Sequence, residues 1–319
     1  MSDPRVVITG STGFLGWHVA EAFRDAGWRV TGVVRRGSKR PLPPGVEAAE
    51  VALDPAALAR ATEGAAVLVH AAGLTHGRTD RDFHAVNVAG TEAAVAAANV
   101  SGARLIFISS QAVIGTGTPD RPSREGDTPR PLNAYGRSKL AAEVVVTSQT
   151  RGSWTIVRPS AVYGPRDRQF LPLFRLAARG WFPVVAGPAT AFTFAFAGDV
   201  ARAILLAATG GSERTVFVGH PQPQTTEDVL RGLADVFERP YRPLRLPLPV
   251  LGGLAWAGEL ASRVGIAAPL HRARLVELTA EGFVCATERA RDELGFTAAV
   301  GLREGLERTA RWYRDQGWV

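Results

Sequence analysis

The octapeptide Thr9-Gly10-Ser11-Thr12-Gly13-Phe14-Leu15-Gly16 constrains this chain more than any other feature, because it places glycines at 10, 13 and 16 directly behind the apolar run Arg5–Thr9. Glycines in such a turn let the backbone approach a pyrophosphate. They also aim the first amides of the next helix at it and let that helix pack closely on the sheet. An amphipathic segment, 14–26, follows, and a second apolar run, Arg29–Val34, ends about 20 residues after the turn. Strand, glycine turn, helix and strand together mark a dinucleotide-binding turn, where a bare glycine trio would mark only a tight connection. Gly10, Thr12, Gly13, Phe14, Leu15 and Gly16 are therefore the expected cofactor-binding residues of this segment.

The second strand runs out in Val33-Val34-Arg35-Arg36. Sites that prefer NAD usually place an acid here to hold the ribose 2′-hydroxyl, and an acid repels a 2′-phosphate. Arginine attracts that phosphate and bonds it in a fork. Arg35, helped by Arg36, Lys39 and Arg40, thus points to NADP, with NAD possible as a second cofactor.

Over 319 residues, 46% hydrophobic against 21% charged, the chain can bury a large core. Its first half alternates β-branched runs with alanine-rich segments, the pattern of helices covering both faces of a parallel sheet. Strands are expected at Arg5–Thr9, Arg29–Val34, 66–70, 104–109 and 154–158, and helices at 14–26, Pro55–Thr62 behind an N-capping Asp54, 81–100 and 133–150. Beyond Gly164-Pro165 prolines cluster and helices are expected at 225–237, 250–264 and 302–314. Residues 1–165 are thus read as a dinucleotide-binding domain with a return segment at 193–220, and 166–319 as a smaller, mostly helical substrate domain. The fold class is α/β: a Rossmann-type doubly wound parallel sheet.

Charge and cysteine content narrow the partners. The net charge of +7 is spread along the chain, apart from the group at Arg35, and lysine occurs only at Lys39 and Lys139. Without a basic face interleaved with aromatics, nucleic acid is not an expected partner. The single cysteine, Cys285, cannot form an internal disulfide, which fits a reducing compartment. No export signal is visible at the start, so a cytoplasmic location is expected. The longest apolar stretch, 246–258, is shorter than the ~18 residues of a membrane span and reads as a buried helix or a lid. His70, His76 and His84 have no partners at metal spacing, so no metal is expected.

Tyr135 and Lys139 stand four apart at the start of a helix and share its face. Both groups ordinarily titrate near 10, and a lysine cation beside tyrosine lowers the tyrosine's pKa toward useful proton exchange. The strand before them ends in Ser109-Ser110 at the carboxyl edge of the sheet, where open α/β sheets bind ligands. Ser110 is placed to hold the carbonyl oxygen that Tyr135 protonates, with Ser109 the less suitable of the pair.

With these motifs the chain resembles the extended short-chain dehydrogenase/reductase family, which includes nucleotide-sugar epimerases and dehydratases, 3β-hydroxysteroid dehydrogenases and dihydroflavonol-type reductases. The resemblance is carried by the glycine turn, His70-Ala71-Ala72-Gly73, Asn87-Val88-Ala89-Gly90-Thr91, Ser109-Ser110, Tyr135 to Lys139, and Arg158 to Pro165. It implies that Tyr135 is the acid/base, Ser110 holds the substrate oxygen and Lys139 bonds the nicotinamide ribose. It also implies that Ala71, Ala72 and Gly73 line the adenosine and phosphate side, that Asn87 supports the cofactor loop, and that Pro159 flanks the nicotinamide. A homodimer through helices 81–100 and 133–150 is a further implication.

Two departures bear on the substrate. Where nucleotide-sugar members typically carry an asparagine and an arginine that contact the diphosphate, this chain has Ala161 and Phe192. Phe192, Phe194 and Phe196 share one face if extended. The expected activity is therefore NADP-dependent hydride transfer to or from a small-molecule ketone or secondary alcohol of apolar character, with Trp181, Phe182 and the stretch 246–256 extending the apolar wall. The alternative is a nucleotide-sugar epimerase or dehydratase with retained NAD.

Overall fold

The computed structural model describes residues 3–77, 79–186, 190–211, 213–263, 275–276 and 279–319. The β-branched runs form β1 (Arg5–Thr9), β2 (Arg29–Val34), β4 (Val67–His70), β5 (Arg104–Ile108) and β6 (Trp154–Pro159), and Glu47–Glu50 adds β3. With β11 (Arg214–Val218) they make a seven-stranded sheet in the order β11-β6-β5-β4-β1-β2-β3, every adjacent pair parallel. The order reverses between β1 and β4, so the loops leaving these two strands part at the carboxyl edge and open the crevice where such sheets bind ligands.

Alternate residues of the strands feed two cores. On one face Val6 and Ile8 meet Val19 and Phe23 of α1 (Phe14–Asp25) and Ile204 of a later helix. On the other, Val7, Leu68 and Phe107 meet Leu58 of α2 (Pro55–Thr62), Ala94 and Val146. Asp54 caps α2 as its sequence foretells, accepting from the Ala57 amide at 2.9 Å.

The segment expected as one helix over 81–100 is not continuous. It runs as α3 (Asp80–Phe83), a π-helical turn (His84–Val88) and α4 (Ala89–Ser101). The widened turn carries Asn87, whose amide accepts from Leu74 N (2.7 Å) and donates to Leu74 O (3.0 Å) and Ser138 Oγ (2.8 Å). Such single-turn bulges recur at functional sites. The next helix, α5 (Ala134–Gln149), is capped by Asn133.

Further elements among the described residues include α6 (Leu171–Ala178), α7 (Ala197–Thr209), α8 (Thr226–Val236), α9 (Leu248–Arg263) and the helices Glu288–Leu294 and Leu302–Asp315, with short strands β7 (Ala161–Tyr163), β8 (Phe182–Val185), β9 (Ala191–Phe192), β10 (Phe194–Phe196), β12 (Gln224–Thr225), β13 (Pro243–Leu246) and β14 (Gly282–Phe283). A third core of Tyr163, Phe174, Phe182, Phe194, Leu230 and Tyr313 holds this layer together. The stretch 246–258, expected as a buried helix or lid, ends a strand and then forms α9, which buries Leu251 and Ala255 but leaves its outer apolar residues half exposed. Residue 264 of the helix expected over 250–264 lies outside the described residues.

Candidate active site

The glycine turn is built for close approach. Gly10 takes φ +73°, and a Cβ there would stand 2.6 Å from Ala72 N, so the loops after β1 and β4 touch only because the residue is glycine. A Cβ on Gly16 would run into the Gly10 carbonyl, which is how α1 packs so tightly against the turn. Gly13 caps α1 with no side chain, and no acid sits in the first turn. The opening amides of α1 are thereby left for an anion, and the residues present fit a dinucleotide pyrophosphate. Thr12, Phe14 and Leu15 are half-buried around this turn.

Ala71, Ala72 and Gly73 form the opposite wall. Thr9 pins them, its hydroxyl accepting from Ala72 N at 3.1 Å and bonding His70 Nδ1 at 2.8 Å. His70 itself is buried and stacked on Phe107 at 5.9 Å, and burial pushes its pKa down to about 3, so it stays a neutral core residue. A Cβ on Gly73 would lie 3.3 Å from both Asn87 Oδ1 and Lys139 Nζ, so the structure brings these three expected site residues together.

Arg35 follows directly on β2, at the same carboxyl edge. Arg35, Arg36, Lys39 and Arg40 are exposed, and none pairs with a carboxylate among the described residues. Unpaired cations grouped at this edge suit a phosphate on the adenosine ribose.

The two serines behind β5 separate by the pleat. Ser109 is buried and donates to Glu143 Oε1, while Ser110 is half-open, its Oγ accepting from Ala112 N at 3.2 Å. Tyr135 is half-buried in the first turn of α5, its ring 6.3 Å from Phe83. One turn on, the buried Lys139 donates to the Ile108 carbonyl at 2.8 Å and lies 4.8 Å over the Phe107 ring. Gly136 locks these pieces in place: a Cβ there would stand 2.5 Å from Ala112 O, so α5 rests against the loop that follows Ser110. Pro159 closes β6, buried beside Val218.

Burial pushes the Lys139 ammonium down to about 8, against the pull of the Glu143 carboxylate. The Lys139 cation is therefore lost as pH rises through about 8. Turnover is expected to fall along an alkaline limb near that value, and Lys139→Arg, which cannot deprotonate, should move the limb upward. A rate profile between neutral pH and 10 checks this; an identical limb in both proteins would remove Lys139 from the explanation.

Sequence reading missed the support beneath the site. Arg158 and Glu143 form a buried bidentate ion pair (2.7 and 2.8 Å), and Arg158 also donates to the Glu125 carbonyl at 3.1 Å. The signal was present in the helical spacing, since Glu143 is one turn beyond Lys139 and shares its face. Gln111 and Ser160 also meet beside Ser110, joined by a side-chain hydrogen bond.

Residues 6–219 match the NAD dependent epimerase/dehydratase family. The chain belongs to that family. It is 33% identical to the ceramide reductase of Caulobacter vibrioides, over 98% of this chain and 96% of the relative. It is 29% identical to the 4-hydroxy-2-methyl-3-oxo-4-farnesyl-3,4-dihydroquinoline-1-oxide ketoreductase of Stigmatella aurantiaca, over 95% of each. Among solved structures it resembles gox2253 (26% identity, TM-score 0.82, the whole of both chains) and MoeE5 in complex with UDP-glucose and NAD (26%, TM-score 0.78, 99% of each). The chain is thus an NAD(P)-dependent enzyme of the extended short-chain type.

Phe192 is half-buried and stacks on Phe283, centroids 5.8 Å apart and planes at 14°, with Phe194 5.9 Å away. Phe194 and Phe196 are core residues packed edge-on against Tyr163. Phe182, expected in the substrate wall, is fully buried in the third core, whereas Trp181 and Trp256 are 60% and 63% exposed. The Cys285 thiol is buried and pushed up to about 12, which makes it unreactive.

Proposed function

We propose that this enzyme is an NADP-dependent oxidoreductase that interconverts an apolar ketone and the corresponding secondary alcohol, with Tyr135 as acid/base. NADPH, when bound, supplies the hydride. Ser110 accepts from Ala112 N, which leaves its hydroxyl hydrogen for the substrate oxygen. Tyr135 gives that oxygen its proton as negative charge develops. Lys139 spends one of three N–H donors on Ile108 O and keeps two, suited to a ribose hydroxyl, while its charge favours the tyrosinate left behind. The open cations at Arg35, Arg36, Lys39 and Arg40 support NADP over NAD.

The observation that carries the substrate class is the Phe192–Phe283 stack. A diphosphate brought there meets aromatic carbon in place of the arginine of nucleotide-sugar members, and its desolvated charge costs several kcal/mol. Named reductases among the relatives, including one for ceramide and one for a farnesylated quinoline, support the same reading. MoeE5, solved with UDP-glucose, favours the alternative of a nucleotide-sugar enzyme with retained NAD. The nucleotide kept through purification separates them: NADP(H) that exchanges freely supports the oxidoreductase, and NAD held tightly without net redox turnover overturns it.

Arg35→Asp is expected to weaken NADPH binding by about 1–3 kcal/mol, the range for a lost charge-assisted bond, and to improve NADH relative to it. Titration of both cofactors against both proteins reads this out, and equal affinities in the parent enzyme contradict the NADP assignment. The proposal extends to a cytoplasmic homodimer packed through α4 and α5, which carry the exposed Val100 and Val144. Light scattering should then give twice the chain mass of 33.9 kDa; a lone chain at micromolar concentration excludes it.

A further inference from the structure

We infer that the outer face of the second layer, formed by the β8–β13 ribbon and α9, docks on an anionic lipid bilayer. The inference does not rest on the Ser110–Tyr135–Lys139 site, and it assigns Trp181 and the stretch 246–256, expected in the substrate wall, to an outer surface instead.

Eight large apolar side chains between residues 181 and 276 are about half exposed or more, and six of them fall between Leu244 and Leu260. Among the described side chains of α9, Leu251, Ala255 and Gly258 are buried, while Leu248, Val250, Leu254, Trp256 and Leu260 face outward. A helix apolar on both its buried and its outer side has no reason to be stable against water alone. The ribbon leads into it: Phe182 pairs with Pro243, so the exposed Trp181 stands beside Arg242, and only Pro247 separates β13 from α9.

The charges flanking this surface are mainly cationic. From Arg239 to Leu260 the sequence holds three arginines and one acid, Glu259. Arg242 and Arg245 are exposed without a carboxylate partner among the described residues, and Arg179 is exposed two residues before Trp181. Arginine rims, tryptophan at the boundary and a leucine-rich outer face are what a helix lying in an anionic interface presents. No described helix is long and apolar enough to cross a membrane, and 16 residues of α9 extend about 24 Å along such a surface. A second copy fits less well, because an isologous contact sets the same patch, and hence the same cations, against each other.

Flotation of the full chain with phosphatidylcholine vesicles, with and without phosphatidylglycerol, tests the inference. The chain should float with the phosphatidylglycerol vesicles only and be released by salt. Arg242→Gln with Arg245→Gln should lower partitioning about 30-fold, at about fivefold per cation. Leu254→Gln with Trp256→Gln should lower it at least ~10-fold at unchanged salt dependence, with the thermal midpoint read alongside. Failure of the parent chain to float, or flotation indifferent to lipid charge and salt, overturns the inference. So does an oligomer that Trp256→Gln dissociates while vesicle binding is absent. Lipid composition and salt act on the parent protein, so the test decides even if a variant fails to fold.

Discussion

Tyr135→Phe is expected to fold like the parent enzyme and to lose at least ~10² in turnover, the scale of a positioned general acid. The ring stays, so its packing near Phe83 is kept and only the proton donor is removed. Cofactor affinity should change little, because Lys139 is held by the Ile108 carbonyl independently of Tyr135. Steady-state rates with any accepted substrate, alongside a thermal melt, provide the check. Near-parental turnover by a folded Tyr135→Phe enzyme would remove Tyr135 from the acid/base role.

The second large effect concerns the support under the site. Glu143→Ala leaves the Arg158 guanidinium buried without its carboxylate and takes the acceptor from Ser109. Breaking one side of a buried pair typically costs about 3–5 kcal/mol, since the remaining charge is neither solvated nor matched. Urea denaturation should show a loss of this order for Glu143→Ala and a smaller one for Glu143→Gln, which still accepts hydrogen bonds. Glu143→Gln also removes the charge that raises the Lys139 pKa, so its alkaline limb should move to lower pH. Unchanged denaturation midpoints in both variants would show that the pair contributes nothing net.

The sheet was legible because its strands are β-branched runs covered on both faces, and the glycine turn named its own neighbours. β3 was not: Glu-Ala-Ala-Glu has neither β-branching nor alternation, and it becomes a strand only because β2 offers an unpaired edge, with Val34 opposite Glu50. The π-helical turn was hidden for a related reason, since a 3.6-residue period runs through His84–Val88 and the bonds from Asn87 to Leu74 and Ser138 are tertiary. The alternation at the end of β5 sends Ser109 inward and leaves Ser110 half-open. Helical spacing puts Glu143 on the Lys139 face, but its partner Arg158 lies 15 residues away on another element, which that spacing does not name. For the stretch 246–258 a buried helix and a lid both stood open, because hydrophobicity alone does not say which side of a helix the protein covers.

NADPH oxidation across two panels under identical conditions tests most directly the pairing of NADPH chemistry with an apolar substrate. One panel holds aryl, steroid-like and long-chain ketones; the other holds UDP- and dTDP-sugars. Saturable NADPH consumption with members of the first panel and none with the second is the predicted result, while saturable turnover of a nucleotide sugar with every apolar ketone inert would contradict the account.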